Sequence, residues 1–311
     1  MEQNPQNFDR LASAVESLVK QERWTRRFAN LLKLAVAAYV VFFIYYAIQS
    51  MGASQMDNLN MKEHVAIVKL EGPIMPGSKT SAESLNPLLQ SAFSNPSSKA
   101  VIIHANSPGG SPVQSALIND EITRLKTKFE KPVYVVVEDV CASGCYYIAV
   151  AADKIYANKG SMVGSIGVRM DSFGFTGLME KVGVENRSMH AGEFKAFINP
   201  FAPINEEGRQ FFKERILERT HEQFIETVRA GRGDRIKETE LTYSGLVWLG
   251  DEAVENGMID GLADMGSVQR DVIGITDRRF YESDKSLMEE LMGDISSETA
   301  SKLSLYFTTL Q

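Results

Sequence analysis

The chain has 311 residues, of which 44% are hydrophobic and 23% charged, and its formal net charge is −7 at pH 7. This composition is typical of a globular protein and argues against a disordered one. The negative charge argues against nucleic acid as a partner, because a nucleic-acid binder needs a basic face to displace phosphate counterions. The sequence contains no paired CxxC or HExxH pattern, so we expect no metal and no cofactor.

The N-terminal 50 residues have the pattern of a membrane anchor. Residues 1–27 are polar and end in a basic cluster, and residues 28–48 are almost entirely apolar. About twenty helical residues span the roughly 30 Å hydrocarbon core. We therefore predict a single transmembrane helix over residues 28–50 and a linker over 51–62; a cleaved signal peptide is the alternative. The basic cluster predicts that residues 1–27 are cytoplasmic and that the rest of the chain faces outward.

Strands and helices alternate from His64 onward, which predicts an α/β fold with mostly parallel strands and crossover helices. The strands are expected at 65–70, 100–103, 133–137 and 154–157. A helix over Ser111–Phe129 would pack through Leu117, Ile118, Ile122 and Leu125. A longer helix over Glu206–Arg229 would pack through Phe211, Phe212, Ile216 and Phe224.

Ser143 lies at the predicted turn between an apolar strand and an Ala-rich helix that runs to Ala152. The first amides of a helix lack intrahelical partners and can face a developing negative charge. Ser143 is therefore a candidate nucleophile, with the amide of Gly144 as an oxyanion donor. The alternative is that Ser143 only caps the helix.

A second strand ends at the pair Gly109-Gly110 before another helix. Consecutive glycines allow a tight bend and a close approach to a ligand, so the amide of Gly110 is a natural second oxyanion donor. The two cysteines, Cys141 and Cys145, are too few for a disulfide scaffold. Because they are four residues apart on a predicted helix, we expect small buried apolar groups and no bridge.

Four ordered motifs carry a resemblance to a known family. They are Ser-Pro-Gly-Gly at 107–110, Ala-Ser-Gly-x-Tyr-Tyr-Ile-Ala at 142–149, Gly-Ser-Ile-Gly-Val at 164–168 and Gly-x-x-Lys at 192–195. In this order and spacing the chain resembles the signal peptide peptidase A family of membrane-bound serine proteases, from about Val65 to Asp264. Cys145 stands where the family usually has Gly, and Val163 stands where Thr is common.

The resemblance implies a fold and a domain organisation. The fold would be the spiral of repeated ββα units shared by the Clp protease and crotonase superfamily. One catalytic domain would cover residues 63–275, as in the short form of the family. Residues 276–311 fall outside the resemblance and are predicted to be a tail of mixed helix and loop. The protein would lie in a bacterial inner membrane with its catalytic domain in the periplasm.

The resemblance also implies a Ser/Lys dyad, with Ser143 as nucleophile, Lys195 as general base and Ser165 orienting the lysine amine. A lysine must be neutral to accept a proton, and a free lysine is almost fully protonated at pH 7. Lys195 therefore needs a desolvated site, which Phe194, Phe197 and Ile198 would provide. The four histidines stand in no motif with a carboxylate and are expected to be solvated or structural; they are His64, His104, His190 and His221.

These observations predict a membrane-anchored serine endopeptidase that hydrolyses signal-peptide remnants and other membrane-associated peptides. The resemblance further implies a homo-oligomeric ring in which the serine of one subunit meets the lysine of its neighbour. Two alternatives remain open. One is a crotonase-type acyl-CoA enzyme, and the other is a catalytically inactive membrane scaffold of the same fold.

Overall fold

The structure is a computed structural model that describes residues 31–44 and 62–282. The chain divides into two units, Met1–Met61 and Lys62–Gln311. In the first unit, residues 31–44 form helix α1, and its side chains are exposed. The rest of the predicted anchor over 28–50, the N-terminal segment and nearly all of the predicted linker lie outside the described residues. None of the helices in the described ranges combines the length and apolarity that crossing a bilayer requires.

The second unit is an alternation of strands and helices. In chain order the elements are β1 (His64–Glu71), α2 (Ala82–Ser94), β2 (Ser98–Ser107), α3 (Pro112–Phe129), β3 (Val133–Ala142), α4 (Gly144–Ala149), β4 (Lys154–Ala157), β5 (Met162–Gly164), α5 (Thr176–Lys181), α6 (Glu206–Phe212), α7 (Arg219–Arg232), β6 (Val247–Leu249), α8 (Gly250–Glu255), β7 (Gly261–Leu262), α9 (Met265–Ser267) and β8 (Arg278–Tyr281). π-Helical segments at Lys213–Glu218 and Val268–Ile273 follow α6 and α9.

The strands form one sheet in the order β6-β5-β3-β2-β1-β8, and β4 pairs with β3 and β7. All pairs are parallel except the antiparallel pair of β5 and β6. The predicted α/β class is therefore confirmed. β8 pairs with β1 through Val65 and Arg278. The sheet thus extends past residue 275, into the segment that the sequence analysis treats as a tail of helix and loop.

The core lies on both faces of the sheet, as expected for parallel strands flanked by helices. On one face α3 buries Ile118, Ile122 and Leu125, which recur at helical spacing. Leu117 was predicted on the same face, but 47% of its surface is exposed because it lies about 100° around the helix from Ile118. The larger cluster also includes residues of α2, α4 and α7.

The predicted core side of the long helix is correct for its second half only. Phe224 on α7 is buried, whereas Phe211 and Ile216 are 60% and 46% exposed. Gly208 is the only buried residue of α6 and the π-helical turn that follows it. Phe212 is half-buried and packs against the ring of Phe197 at a centroid distance of 5.8 Å.

A buried ion pair holds α7 against the sheet. The guanidinium of Arg232 is 1% exposed and donates to Asp260 at 2.7 Å and to the carbonyl oxygen of Gly257. Asp260 also accepts from the backbone N–H of Ile155 on β4. Burial favours the neutral acid, but the hydrogen bonds from Arg232 and Ile155 outweigh it and lower the pKa of Asp260. The charged pair is therefore satisfied, as a buried pair must be.

Candidate active site

Three neighbouring parallel strands carry three of the four predicted motifs to one edge of the sheet. Ser107 at the end of β2 lies opposite Cys141 near the end of β3, and Cys141 lies opposite Val163 on β5. Each strand then runs directly into its motif. Parallel neighbouring strands end at the same edge of a sheet, so the topology brings these motifs together. This edge is the usual place for sites in α/β sheets. Gly110, Ser143 and Ser165 therefore follow three adjacent strand ends.

Ser143 occupies a strained turn between β3 and α4. Its φ is 53° and its ψ is −120°, in a region that glycine adopts far more readily than serine. Its N–H donates to the carbonyl oxygen of Gly164 at 2.7 Å, and its own carbonyl accepts from the N–H of Tyr147 at 3.0 Å. The hydroxyl makes no capping hydrogen bond to α4. The alternative that Ser143 only caps the helix is therefore not supported, and its hydroxyl is left for another role.

The amide of Gly110 points toward the Ser143 turn. Ile74 bonds to the residues on either side of Gly110, donating to the carbonyl of Gly109 at 2.9 Å and accepting from the N–H of Ser111 at 2.8 Å. In a strand ladder the residue between two such bonds directs its own N–H to the opposite side. The nitrogen of Gly110 accordingly lies 3.1 Å from the position of a Cβ added to Gly144.

Two amides at this turn are thus available for a negatively charged oxygen. Gly144 is the first residue of α4, and the N–H of such a residue has no partner within its helix. Within residues 62–282, neither this N–H nor that of Gly110 has a hydrogen-bond acceptor. Two adjacent unpaired amides beside a serine hydroxyl are the arrangement that stabilises the oxyanion of acyl transfer.

The turns around Ser143 pack too closely for a side chain at Gly109. Gly109 has a φ of +92°, and a Cβ there would lie 2.6 Å from both the carbonyl oxygen of Ala142 and the nitrogen of Gly144. The buried hydroxyl of Ser107 accepts from the Gly109 N–H at 3.2 Å. The Gly-Gly pair therefore sets the spacing between the two amides.

Ser165 is also held at a positive φ, of 52°. Its N–H donates to the carbonyl oxygen of Leu246 at 2.7 Å. The ring Nε2 of His221 on α7 lies 3.1 Å from the carbonyl oxygen of Ile166 and donates to it in the appropriate tautomer. The sequence analysis did not connect His221 with this segment, because the two residues are 55 positions apart and no local pattern links them.

Lys195 is the one predicted site residue that no contact joins to the others. It lies in a turn-rich segment, and its N–H donates to the carbonyl oxygen of Gly192. Its side chain is exposed and has no hydrogen bond or ion pair among the described residues. Phe194 and Ile198 are themselves 40% and 48% exposed. Residues 62–282 of a single chain therefore do not supply the desolvated surroundings that a neutral lysine needs.

The prediction that Cys141 and Cys145 are separate apolar groups is wrong, because the structure joins them in a disulfide. Cys141 lies on β3, not on a helix, and the turn at Ser143 brings the two Cα atoms to 5.1 Å. This separation is within the range that a disulfide can bridge. Both residues are fully buried, so that part of the prediction is correct.

Tyr146 anchors the first turn of α4. Its side chain is fully buried, and its hydroxyl donates to the carbonyl oxygen of Met258 at 2.8 Å. Burial raises the pKa of Tyr146, so the hydroxyl stays protonated and remains a donor. The helix that carries the Gly144 amide is therefore fixed to the segment that precedes β7.

Comparison with known proteins gives consistent matches. Residues 126–273 match the profile of Peptidase family S49. The Na(+)/H(+) antiporter NhaA of Brucella abortus is 42% identical over 219 residues, which cover 69% of this chain and 30% of that protein. The chloroplastic serine protease SPPA of Arabidopsis thaliana is 32% identical over 199 residues, which cover 63% of this chain and 29% of that protein. The solved 1510-N membrane-bound stomatin-specific protease is 16% identical with a TM-score of 0.42, covering 71% of this chain and 98% of its own.

The matched segment is similar to serine peptidases. More particularly, residues 126–273 match peptidase family S49, and the predicted resemblance to the signal peptide peptidase A family is confirmed. The chain spans about 30% of the length of the first relatives it matches. The name of the Brucella protein describes a transport activity, and we do not assign that activity to this chain.

The packing around Gly109 predicts a sharp difference between two glycines with the same φ angle. Gly109→Ala should lower peptide hydrolysis at least about 100-fold, because the added Cβ displaces the amides of Gly110 and Gly144, the candidate oxyanion donors. Gly72 also has a φ of +92° but has open space at its Cβ position. Gly72→Ala should therefore keep near-wild-type activity and lose about 1 kcal/mol of stability. Initial rates and urea unfolding measure both effects, and equal activity in the two variants would contradict this account of the turn.

Proposed function

We propose that the protein is a membrane-anchored serine endopeptidase that uses a Ser143/Lys195 dyad. The observation that carries the proposal is the strained Ser143 turn with its two unpaired amides. The peptidase family match supports hydrolysis in preference to acyl-CoA chemistry. An inactive scaffold would have no use for a strained serine, which costs about 1–3 kcal/mol to hold. We further propose that the sheet is the spiral core of the Clp protease and crotonase superfamily.

The proposed mechanism begins with transfer of the Ser143 proton to the neutral amine of Lys195 as the hydroxyl oxygen attacks the scissile carbonyl. The amides of Gly110 and Gly144 then stabilise the oxyanion of the tetrahedral intermediate. The protonated lysine gives its proton to the leaving amine, which leaves an acyl-enzyme on Ser143. Water, activated by the lysine, releases the acid product. Ser165 accepts or donates a hydrogen bond that orients the lysine amine.

The dyad predicts loss of activity from either residue. Ser143→Ala and Lys195→Ala should each lower peptide hydrolysis at least about 10⁴-fold while the fold is retained. Lys195→Arg should be equally inactive, since arginine keeps the charge but cannot act as a base. The wild-type rate should rise with pH, because a base acts only when it is unprotonated.

Lys154→Ala is the matched control, because Lys154 is an exposed lysine without an ion pair among the described residues and lies at the start of β4, at the opposite edge of the sheet from Ser143. This variant should keep full activity in the same peptide-hydrolysis assay. Activity that survives Lys195→Ala at neutral pH would exclude the lysine as the base.

We also propose that the working enzyme is a homo-oligomeric ring whose active sites lie between subunits. The support is the exposed apolar surface of residues 173–201, the segment that carries Lys195. Phe173, Met189 and Phe201 are 73%, 98% and 49% exposed there. A neighbouring subunit that covered this segment would bury Lys195 and bring it near a Ser143 of another chain. A head-to-tail contact of this kind closes into a finite ring by rotation.

Complementation tests the shared site. Inactive Ser143→Ala and inactive Lys195→Ala proteins, co-expressed with different affinity tags, should regain part of the wild-type activity. Mixed rings contain some sites with both residues intact, so activity should co-purify through both tags in sequence. If both chains enter the same rings and hydrolysis does not return, the dyad lies within one chain.

The proposed substrates are signal-peptide remnants and other apolar peptides near the bilayer. This follows from the proposed anchor over residues 28–50 and from the exposed apolar surface around the Lys195 segment. Residues 1–27 would be cytoplasmic, and the catalytic domain would be in the periplasm of a bacterial inner membrane.

The proposed topology predicts which residues a protease can reach. Protease added to spheroplasts should digest the catalytic domain and spare residues 1–27, and a phosphatase reporter fused after Gln311 should be active only outside the cytoplasm. Cytosolic enzymes left intact in the same spheroplasts are the control. A mature N-terminus near residue 53, found by sequencing, would show that the apolar segment is a cleaved signal peptide.

A further inference from the structure

The only two cysteines of the chain form a disulfide across the Ser143 turn. Cys141 is the second-last residue of β3, and Cys145 is the second residue of α4. Both side chains are fully buried. The bond therefore closes a five-residue loop with Ser143 at its centre.

The position of the bond matches the place where the backbone needs constraint. Ser143 has a positive φ that serine avoids. Such a conformation persists only where contacts with the surrounding structure hold it in place. The hydrogen bond to Gly164 fixes the strand side of the turn, and the bond from Tyr147 fixes the helix side. The disulfide joins the strand side directly to the helix side, which neither hydrogen bond does.

We propose that the Cys141–Cys145 disulfide is a positioning device for Ser143, and that the peptidase reaches full activity only when the two cysteines are oxidised. This inference rests on the proposed role of Ser143 as nucleophile. Without the bond, the loop can relax from its strained φ and carry the hydroxyl away from the amides of Gly110 and Gly144. A misplacement of about 1 Å can cost about 10²-fold in rate.

The oxidation step balances as a thiol–disulfide exchange. The thiols of Cys141 and Cys145 lose two protons and two electrons, one S–S bond forms between them, and a disulfide oxidant such as oxidised glutathione is reduced to two thiols. Disulfides persist outside the cytosol and are rare within it. A catalytic domain that faces outward would thus gain activity after export, and a chain still in the cytoplasm would be poorly active.

Single and double substitutions in the full-length protein test whether the two cysteines act only through the bond that joins them. Cys141→Ala, Cys145→Ala and the double variant should each lower kcat by the same factor, about 10- to 100-fold, with KM within about twofold of wild type. Equal losses are expected because each change removes the same bond, whereas independent effects at the two positions would multiply. A double variant with wild-type kcat, or single effects that multiply, would overturn the inference.

Reduction of the wild-type protein keeps the test decisive if a variant does not fold. Dithiothreitol should lower kcat to the level of the double variant as two alkylatable thiols appear by mass spectrometry, and oxidised glutathione should restore it. The double variant should not respond to either reagent. Unchanged kcat in fully reduced protein, or two free thiols in active protein before reduction, would overturn the inference.

A parallel assay of Ser143→Ala separates this inference from the proposed function. If Ser143→Ala still hydrolyses peptides, the proposed nucleophile is wrong whatever the disulfide does. If Ser143→Ala is inactive but the reduced wild type keeps full kcat, only the positioning role of the disulfide fails.

Discussion

The candidate site depends on one backbone hydrogen bond, from the N–H of Ser143 to the carbonyl oxygen of Gly164 at 2.7 Å. It joins the end of β3 to the end of β5 where the chain turns into α4. Because a serine at a φ of 53° costs about 1–3 kcal/mol, the turn cannot rest on local preference. The neighbouring strand supplies the constraint on the strand side of the turn, and the Cys141–Cys145 disulfide is proposed to supply the constraint across it.

The same constraint continues to the next strand. Ser165 follows Gly164 directly, has a positive φ of its own and donates to Leu246, just before β6. His221 holds the adjacent carbonyl of Ile166 from α7. Hydrogen bonds therefore hold two strained serines one after the other, Ser143 to β5 and Ser165 to the segment before β6. A change that loosens the β6 edge of the sheet should therefore also alter the position of Ser143.

Sequence reasoning succeeded where a local pattern carried the information. The α/β class, the turn at Ser143 and the Gly-Gly bend all follow from contiguous motifs and from strands that end at one edge. It failed where the answer depends on distant residues. The disulfide required Cys141 to lie on a strand, and the role of His221 required a contact across 55 positions. Periodicity also cannot show that Phe211 is left 60% exposed by the described residues. The surroundings of Lys195 belong to this second group, since the described residues leave its side chain exposed.

The central claim is that Ser143 is the nucleophile, and its most direct test is the location of a covalent adduct. Full-length protein treated with a fluorophosphonate would be digested and mapped by mass spectrometry, because such reagents bond to an activated serine oxygen with loss of fluoride. The account predicts one adduct, on Ser143, whose formation a peptide substrate slows. An adduct on Ser107 or Ser165 instead, or peptide hydrolysis that continues with Ser143 unmodified, would contradict it.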